Sequence, residues 1–197
     1  LVWGAGPNAL VAELLTPLAP GRALDLASGE GRHTLWLAGR GWRATGLEQS
    51  GVAARRAREL AAAHQPPLTG RATFEEADLV DWRPGPGTAD LVLIAFLHLP
   101  AHERRRVLRS AWSALAPGGH LLVVGHDSRN LDEGAGGPDD PALLYTAGDL
   151  RADLGLDGDG PAHQSGRATV LRAGEHERPA ASGDRAIDAV LFARREG

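Results

Sequence analysis

With 197 residues, the chain is long enough for one well-buried core without disulfides or structural metal, and 1–197 is read as a single domain. A balance of 21 basic against 25 acidic residues, net charge −4, leaves no phosphate-backbone footprint and argues against nucleic acid as a partner. Cysteine is absent and every basic residue is arginine, which removes thiolate and amine nucleophiles, cysteine metal sites, a Walker-type lysine and an internal Schiff base. No apolar run approaches the roughly 20 residues that span a bilayer, so no membrane partner is expected and a cytoplasmic location is. Methionine is absent too, so Leu1 is not expected to be the translated start.

The chain opens on a glycine-rich entry with Trp3 and Asn8. Ala9 to Leu15 follows, with apolar residues at helical spacing before Pro17. Ala23 to Ala38 then reads as a strand, a glycine turn and the opening of a helix. An apolar run ends in Asp25, and Gly29 and Gly31 let the backbone approach whatever occupies the turn. Asp25 and Glu30 place two carboxylates where a dinucleotide would put its pyrophosphate. The Gly-x-Gly-x-x-Gly spacing also fails, because the third position is Thr34 counted from Gly29, or Arg32 counted from Ala27. An acidic turn suits the ammonium and sulfonium charges of S-adenosylmethionine instead.

Asp25-Leu-Ala-Ser-Gly-Glu-Gly-Arg resembles the first motif of class I S-adenosylmethionine-dependent methyltransferases, and in particular the small tellurite-resistance and thiopurine-type branch. Ala27 stands where that family has its first loop glycine and Ser28 where it commonly has cysteine. The resemblance implies a doubly wound α/β fold with strand order 3-2-1-4-5-7-6 and the seventh strand antiparallel. It also implies S-adenosylmethionine as methyl donor, S-adenosylhomocysteine as product, and Asp25, Ala27, Ser28, Gly29, Gly31 and Arg32 as cofactor contacts.

Farther along, Arg43 to Glu48 is a second strand ending in a carboxylate whose two oxygens can accept from both ribose hydroxyls; Gln49 is grouped with it. Ser50 caps an alanine-rich helix without a breaker before Pro66. Ala72 to Asp78 is a third strand, and the resemblance assigns Asp78, with Leu79, to adenine. Ala89 to Phe96 is nearly continuous apolar sequence, as a strand buried on both faces requires, with Phe96 expected against the cofactor. An amphipathic helix over Glu103 to Leu115, a fifth strand over His120 to Asp127, a helix over Thr146 to Leu154 and an edge hairpin of Ala168 to Arg172 with Ile187 to Ala193 complete the pattern.

Methyl transfer from a sulfonium depends first on holding acceptor and methyl in line. Where the acceptor loses a proton, His126 and His98 are the candidate catalytic bases, with Asp127 as orienting partner of His126 and His33 nearer the cofactor's amino-acid end. The polar loop after His126 carries Arg129 and Asn130. With His126, these are the expected contacts of a small-molecule acceptor, under a lid facing Phe96, Leu97 and His98. His98 and His102 have metal-like spacing, but Pro100 between them prevents one helix face from presenting both, and no metal is expected. No serine has the Gly-x-Ser-x-Gly frame of a hydrolase. The competing readings are an NAD(P)-dependent oxidoreductase on a Rossmann fold and a non-catalytic S-adenosylmethionine-binding domain. Oligomeric state is left open.

Overall fold

A computed structural model describes residues 6–156, 168–180 and 182–197. Trp3, one of the entry residues, lies outside them. Seven strands form one sheet in the order β3-β2-β1-β4-β5-β7-β6. The strands are β1 (Arg22–Leu26), β2 (Arg43–Glu48), β3 (Ala72–Glu76), β4 (Ala89–Ala95), β5 (Leu115–His126), β6 (Ala168–Pro179) and β7 (Arg185–Arg195). The first five pair in parallel, while β7 runs antiparallel to both β5 and β6. The architecture is the expected one, a seven-stranded α/β sheet with an antiparallel seventh strand.

Helices α1 (Ala9–Leu15), α2 (Arg32–Gly39), α3 (Gly51–Ala63), α4 (Ala101–Ala114), α5 (Asn130–Glu133) and α6 (Ala147–Leu154) flank the sheet. Their starts follow from local chemistry. The Asn8 side chain accepts from the amides of Leu10 and Val11, Ser50 accepts from Ala53, and Thr146 with Asp149 forms a reciprocal capping box.

Strand periodicity divides the core in two. Val92, Ile94, Leu121 and Val123 pack with Val107, Leu108 and Trp112 of α4 and Leu150 of α6 on one face. Leu91, Leu93, Leu122 and Val124 pack with Leu10 and Leu15 of α1, Leu37 of α2 and Ala57 of α3 on the other. β4 is therefore apolar on both sides because both sides are covered.

Most boundaries lie within two residues of the sequence reading, and two lie farther off. The fifth strand, expected from His120, begins at Leu115, and the pairing Ala89↔Leu115 breaks register before Leu91↔His120 resumes. β6 extends past Arg172 to Pro179, with an irregularity between Val170 and Arg172. That extension carries Arg178 to the ligand end of the sheet.

Candidate functional site

The turn after β1 holds three consecutive odd positions at positive φ: Ala27 at 60°, Gly29 at 56° and Gly31 at 82°. A left-handed alanine is a strained choice that glycine would relieve, in keeping with Ala27 standing where the resembled family has glycine. Gly29 and Gly31 need their missing Cβ for different reasons. A Cβ on Gly31 would lie 2.5 Å from the Phe74 ring, whereas one on Gly29 would point into open space. Gly31 therefore serves packing, and Gly29 keeps the mouth of the turn clear.

Two carboxylates brace this turn. Glu48 accepts from Gly29 N at 2.9 Å through Oε2 and from Ser50 N at 2.9 Å through Oε1, tying the tip of β2 to the turn. Each oxygen keeps a second lone pair for another donor. Asp25 is buried beneath the turn and accepts from the Thr34 hydroxyl at 2.7 Å. Burial lifts its carboxyl to about 6, against the opposing pull of the Thr34 hydrogen bonds and Arg32. Asp25 thus acts from below and does not line the opening.

Beside the turn is a cavity of about 590 Å³, into which Ser28, Gly29, Arg32, Phe96, His98 and His126 project with the 135–138 loop, Arg178 and Ala180. Phe96 sits at the tip of β4 at φ 60°, a left-handed conformation costly for an aromatic residue, and its ring lies 5.4 Å from that of His126. His126 and His98 stack at 5.4 Å and 22°, and His98 continues the stack onto Tyr145 at 5.6 Å. Nδ1 of His98 faces the Leu143 carbonyl at 3.2 Å. A carbonyl only accepts, so that nitrogen carries the proton. Nε2 is left as a buried lone pair without a hydrogen-bond partner.

The carboxylate nearest His126 is Asp188 on β7, with Oδ1 3.5 Å from Nδ1, a distance without hydrogen-bond alignment. Asp188 is fully buried and takes a two-pronged ion pair from Arg178, 2.6 Å from Nε and 3.2 Å from Nη2. Burial, followed by the Arg178 charge, lowers His126 to about 4. The ring is neutral at neutral pH. Over it lies the loop backbone, where a Cβ on Gly137 would come within 2.6 Å of His126 Cδ2.

Residues 23–119 match the family described as a methyltransferase domain. Over 116 residues the chain is 32% identical to tocopherol O-methyltransferase, chloroplastic, of Arabidopsis thaliana, covering 57% of this chain and 32% of that protein. It is 35% identical over 116 residues to trans-aconitate 2-methyltransferase of Paracidovorax citrulli, covering 56% of this chain and 41% of that protein. The chain thus matches well under half the length of either relative. An S-adenosylmethionine-dependent methyltransferase structure from Methanosarcina mazei, 20% identical, superposes with a TM-score of 0.71 over 97% of this chain and 99% of that one. It shares the fold.

Within the matched stretch, Ala27, Ser28, Gly29, Arg32 and Phe96 line the cavity. Glu48, Gln49 and Asp78 stand at the ends of β2 and β3 and are not part of the cavity lining; Asp78 accepts from Val80 N at 2.9 Å, and Leu79 is buried in the core. His98 and His126 converge, but three neighbours need correcting. Asp127 does not orient His126, because its carboxylate caps the following turn by accepting from Arg129 N at 3.0 Å. Arg129 and Asn130 do not line the cavity either. Arg129 is spent on surface ion pairs with Glu133 and Glu175. Asn130 is buried, donating to Gly136 O at 2.7 Å and accepting from Ile187 N at 2.7 Å, and so pins the loop that covers His126. His33 does line the cavity, and its Nε2 accepts from Asn8 N at 3.2 Å, fixing α1 beside the turn. Sequence reasoning passed over Arg178 and Asp188. The strand alternation of Ile187 to Ala193 put a lone aspartate in an otherwise apolar run, which was the available signal. No cluster of three or more histidine, aspartate or glutamate side chains suited to a metal occurs among the described residues. No helix among them is long and apolar enough to cross a membrane.

Proposed function

We propose that the protein transfers a methyl group from S-adenosylmethionine to a small-molecule acceptor. One observation carries the reading: the open face of Gly29 and the histidine-lined wall belong to the same cavity, so a ligand on the glycine turn reaches His126 and His98 without leaving it. Ser28 Oγ, buried there without a partner, is a polar atom that a bound ligand would satisfy. The donor set suits this cofactor. The backbone of Gly29 and Gly31 would hold its amino-acid end, Glu48 the ribose and Asp78 the adenine, with Phe96 against the ring system. Bound S-adenosylmethionine supplies an electrophilic methyl on a sulfonium.

The remaining chemistry belongs to the chain. Phe96, His98 and His126 form a stacked wall that orients an acceptor, and the 135–138 loop excludes water from it. The Asp188 carboxylate opposite Nδ1 of His126 favours the proton there, leaving Nε2 to take a proton from a hydroxyl, thiol or amine. The enclosed volume fits a small acceptor better than a macromolecule. The first-turn motif also supports placement in the tellurite-resistance and thiopurine-type branch. Calorimetry with S-adenosylhomocysteine and NAD tests the assignment: the former is expected to bind and the latter not. NAD binding without any S-adenosyl ligand would overturn it.

A further inference from the structure

Two guanidiniums enter the cavity from opposite ends of the chain and meet at one ring. Arg178, from the extended end of β6, stands 5.1 Å from the Phe96 centroid, and Arg32, from the first turn of α2, stands 5.9 Å from it. Both line the cavity. Burial lowers Arg32, the Asp25 carboxylate beneath the turn opposes that and the Arg178 charge adds to it, and Arg178 also lowers His126. Asp188 neutralises Arg178 from behind but is fully buried, so the exposed quarter of the arginine side chain is what the cavity meets. Glu30, on the β1 turn, is the one carboxylate on the cavity wall among the described residues. Two guanidiniums beside one aromatic ring at a cavity wall favour an anionic ligand next to them.

We propose that the methyl acceptor carries a carboxylate, held by Arg178 with Arg32, while its reacting group faces His126 and His98. This rests on the methyltransferase reading above. Planar carboxylates suit a guanidinium fork, and the Asp188 ion pair presets the Arg178 plane so that little side-chain freedom is lost on binding. The unpartnered Nε2 of His98 offers an acceptor for a hydroxyl, thiol or amine hydrogen on the same small molecule. An acid bearing such a protic group would therefore satisfy both halves of the wall.

The test uses protein saturated with S-adenosylhomocysteine and three matched probe pairs: 4-hydroxybenzoate, 3-mercaptopropionate and succinate, each against its amide. At least one acid should bind about tenfold more tightly than its amide. Arg178→Met should erase that preference while leaving S-adenosylhomocysteine affinity unchanged, and Arg178→Lys, which keeps the Asp188 ion pair and the fold, should reduce it. Three outcomes overturn the proposal: no acid preference for any pair, a preference that survives both substitutions, or acids that compete with S-adenosylhomocysteine, which would mean that the guanidiniums serve the cofactor's own carboxylate. Failure of S-adenosylhomocysteine to bind at all is a separate result, and it overturns the parent reading.

Discussion

Asp188 faces His126 directly across the β5–β7 ladder, where the two residues are register partners and Oδ1 comes 3.5 Å from Nδ1. Burial and Arg178 hold His126 at about 4, and a carboxylate at that distance favours the imidazolium by its charge. Asp188→Asn should therefore move His126 lower still, read by imidazole NMR titration, and with an acceptor in hand should slow methyl transfer about tenfold or more. Affinity for S-adenosylhomocysteine should not change. An unmoved His126 titration would make Asp188 a partner of Arg178 alone.

The two turn glycines separate stability from binding. Gly31→Ala should cost about 2–4 kcal/mol of folding stability, because a Cβ at φ 82° would overlap the Phe74 ring. Gly29→Ala should cost only about 1 kcal/mol of stability, since its Cβ enters open space, yet should weaken S-adenosylhomocysteine at least tenfold by filling the mouth of the turn. Thermal melts and calorimetry on the pair decide it: equal binding losses after correction for stability would count against Gly29 as a cofactor contact.

Glu48→Ala should weaken S-adenosylmethionine by about 1–3 kcal/mol through loss of a charged acceptor, and should also loosen the turn by freeing the amides of Gly29 and Ser50. Glu48→Gln, which keeps one acceptor oxygen, should restore more of the melting temperature than of the affinity. Asp78→Ala should weaken the cofactor and leave turnover at saturation largely intact. Parent-like binding by both alanine variants would return these residues to structural roles.

Acid should destabilise the fold through His33 before it affects the cofactor turn. Burial, with Arg32 adding to it, lowers His33 from 6.5 to about 3, so below pH 6.5 the unfolded chain takes up a proton that the folded chain refuses, and stability falls with pH down through that window. Asp25 works the other way: raised to about 6, it binds its proton earlier in the folded state, a contribution complete at low pH and lost as pH rises through 6. Burial also depresses His98, His120 and His126 and raises Asp127 and Asp188, so His33 is isolated by comparing a variant with the parent rather than from the total slope. His33→Gln, whose carbonyl can still accept from Asn8 N, should recover about 2–3 kcal/mol at pH 4 relative to neutral pH in denaturant unfolding. A variant as acid-sensitive as the parent would exclude His33 as the cause.

What could be read from the sequence was local. The β1 turn, the Ser50 cap and the continuous apolar run of β4 each declare themselves within a dozen residues, because turn sterics, capping and two-sided burial act at short range. The partners of His126 could not be read that way. Asp127 is its chain neighbour, but successive strand residues point to opposite faces, and the carboxylate that reaches the imidazole arrives 62 positions later on an antiparallel strand. Asn130 shows the same limit in reverse. Its polar side chain in a glycine-rich loop looks like a ligand contact, yet buried backbone groups at Gly136 and Ile187 claim it first.

The methyltransferase-domain match ends at residue 119, and the boundary has an architectural consequence. Glycine turn, Glu48 and Asp78 all precede it; His126, the loop pinned by Asn130, Arg178 and Asp188 all follow it. Under the proposed function the donor contacts fall on the earlier length, whereas the acceptor wall draws on both, with Arg32, Phe96 and His98 before the boundary and His126 and Arg178 after it. Exchange of everything beyond residue 119 for the corresponding segment of a relative would therefore have to keep three seams, the β4–β5 pairing, the Arg104–Asp153 ion pair and the α1 contact with Val190 and Phe192, for a new acceptor wall to meet an unchanged glycine turn.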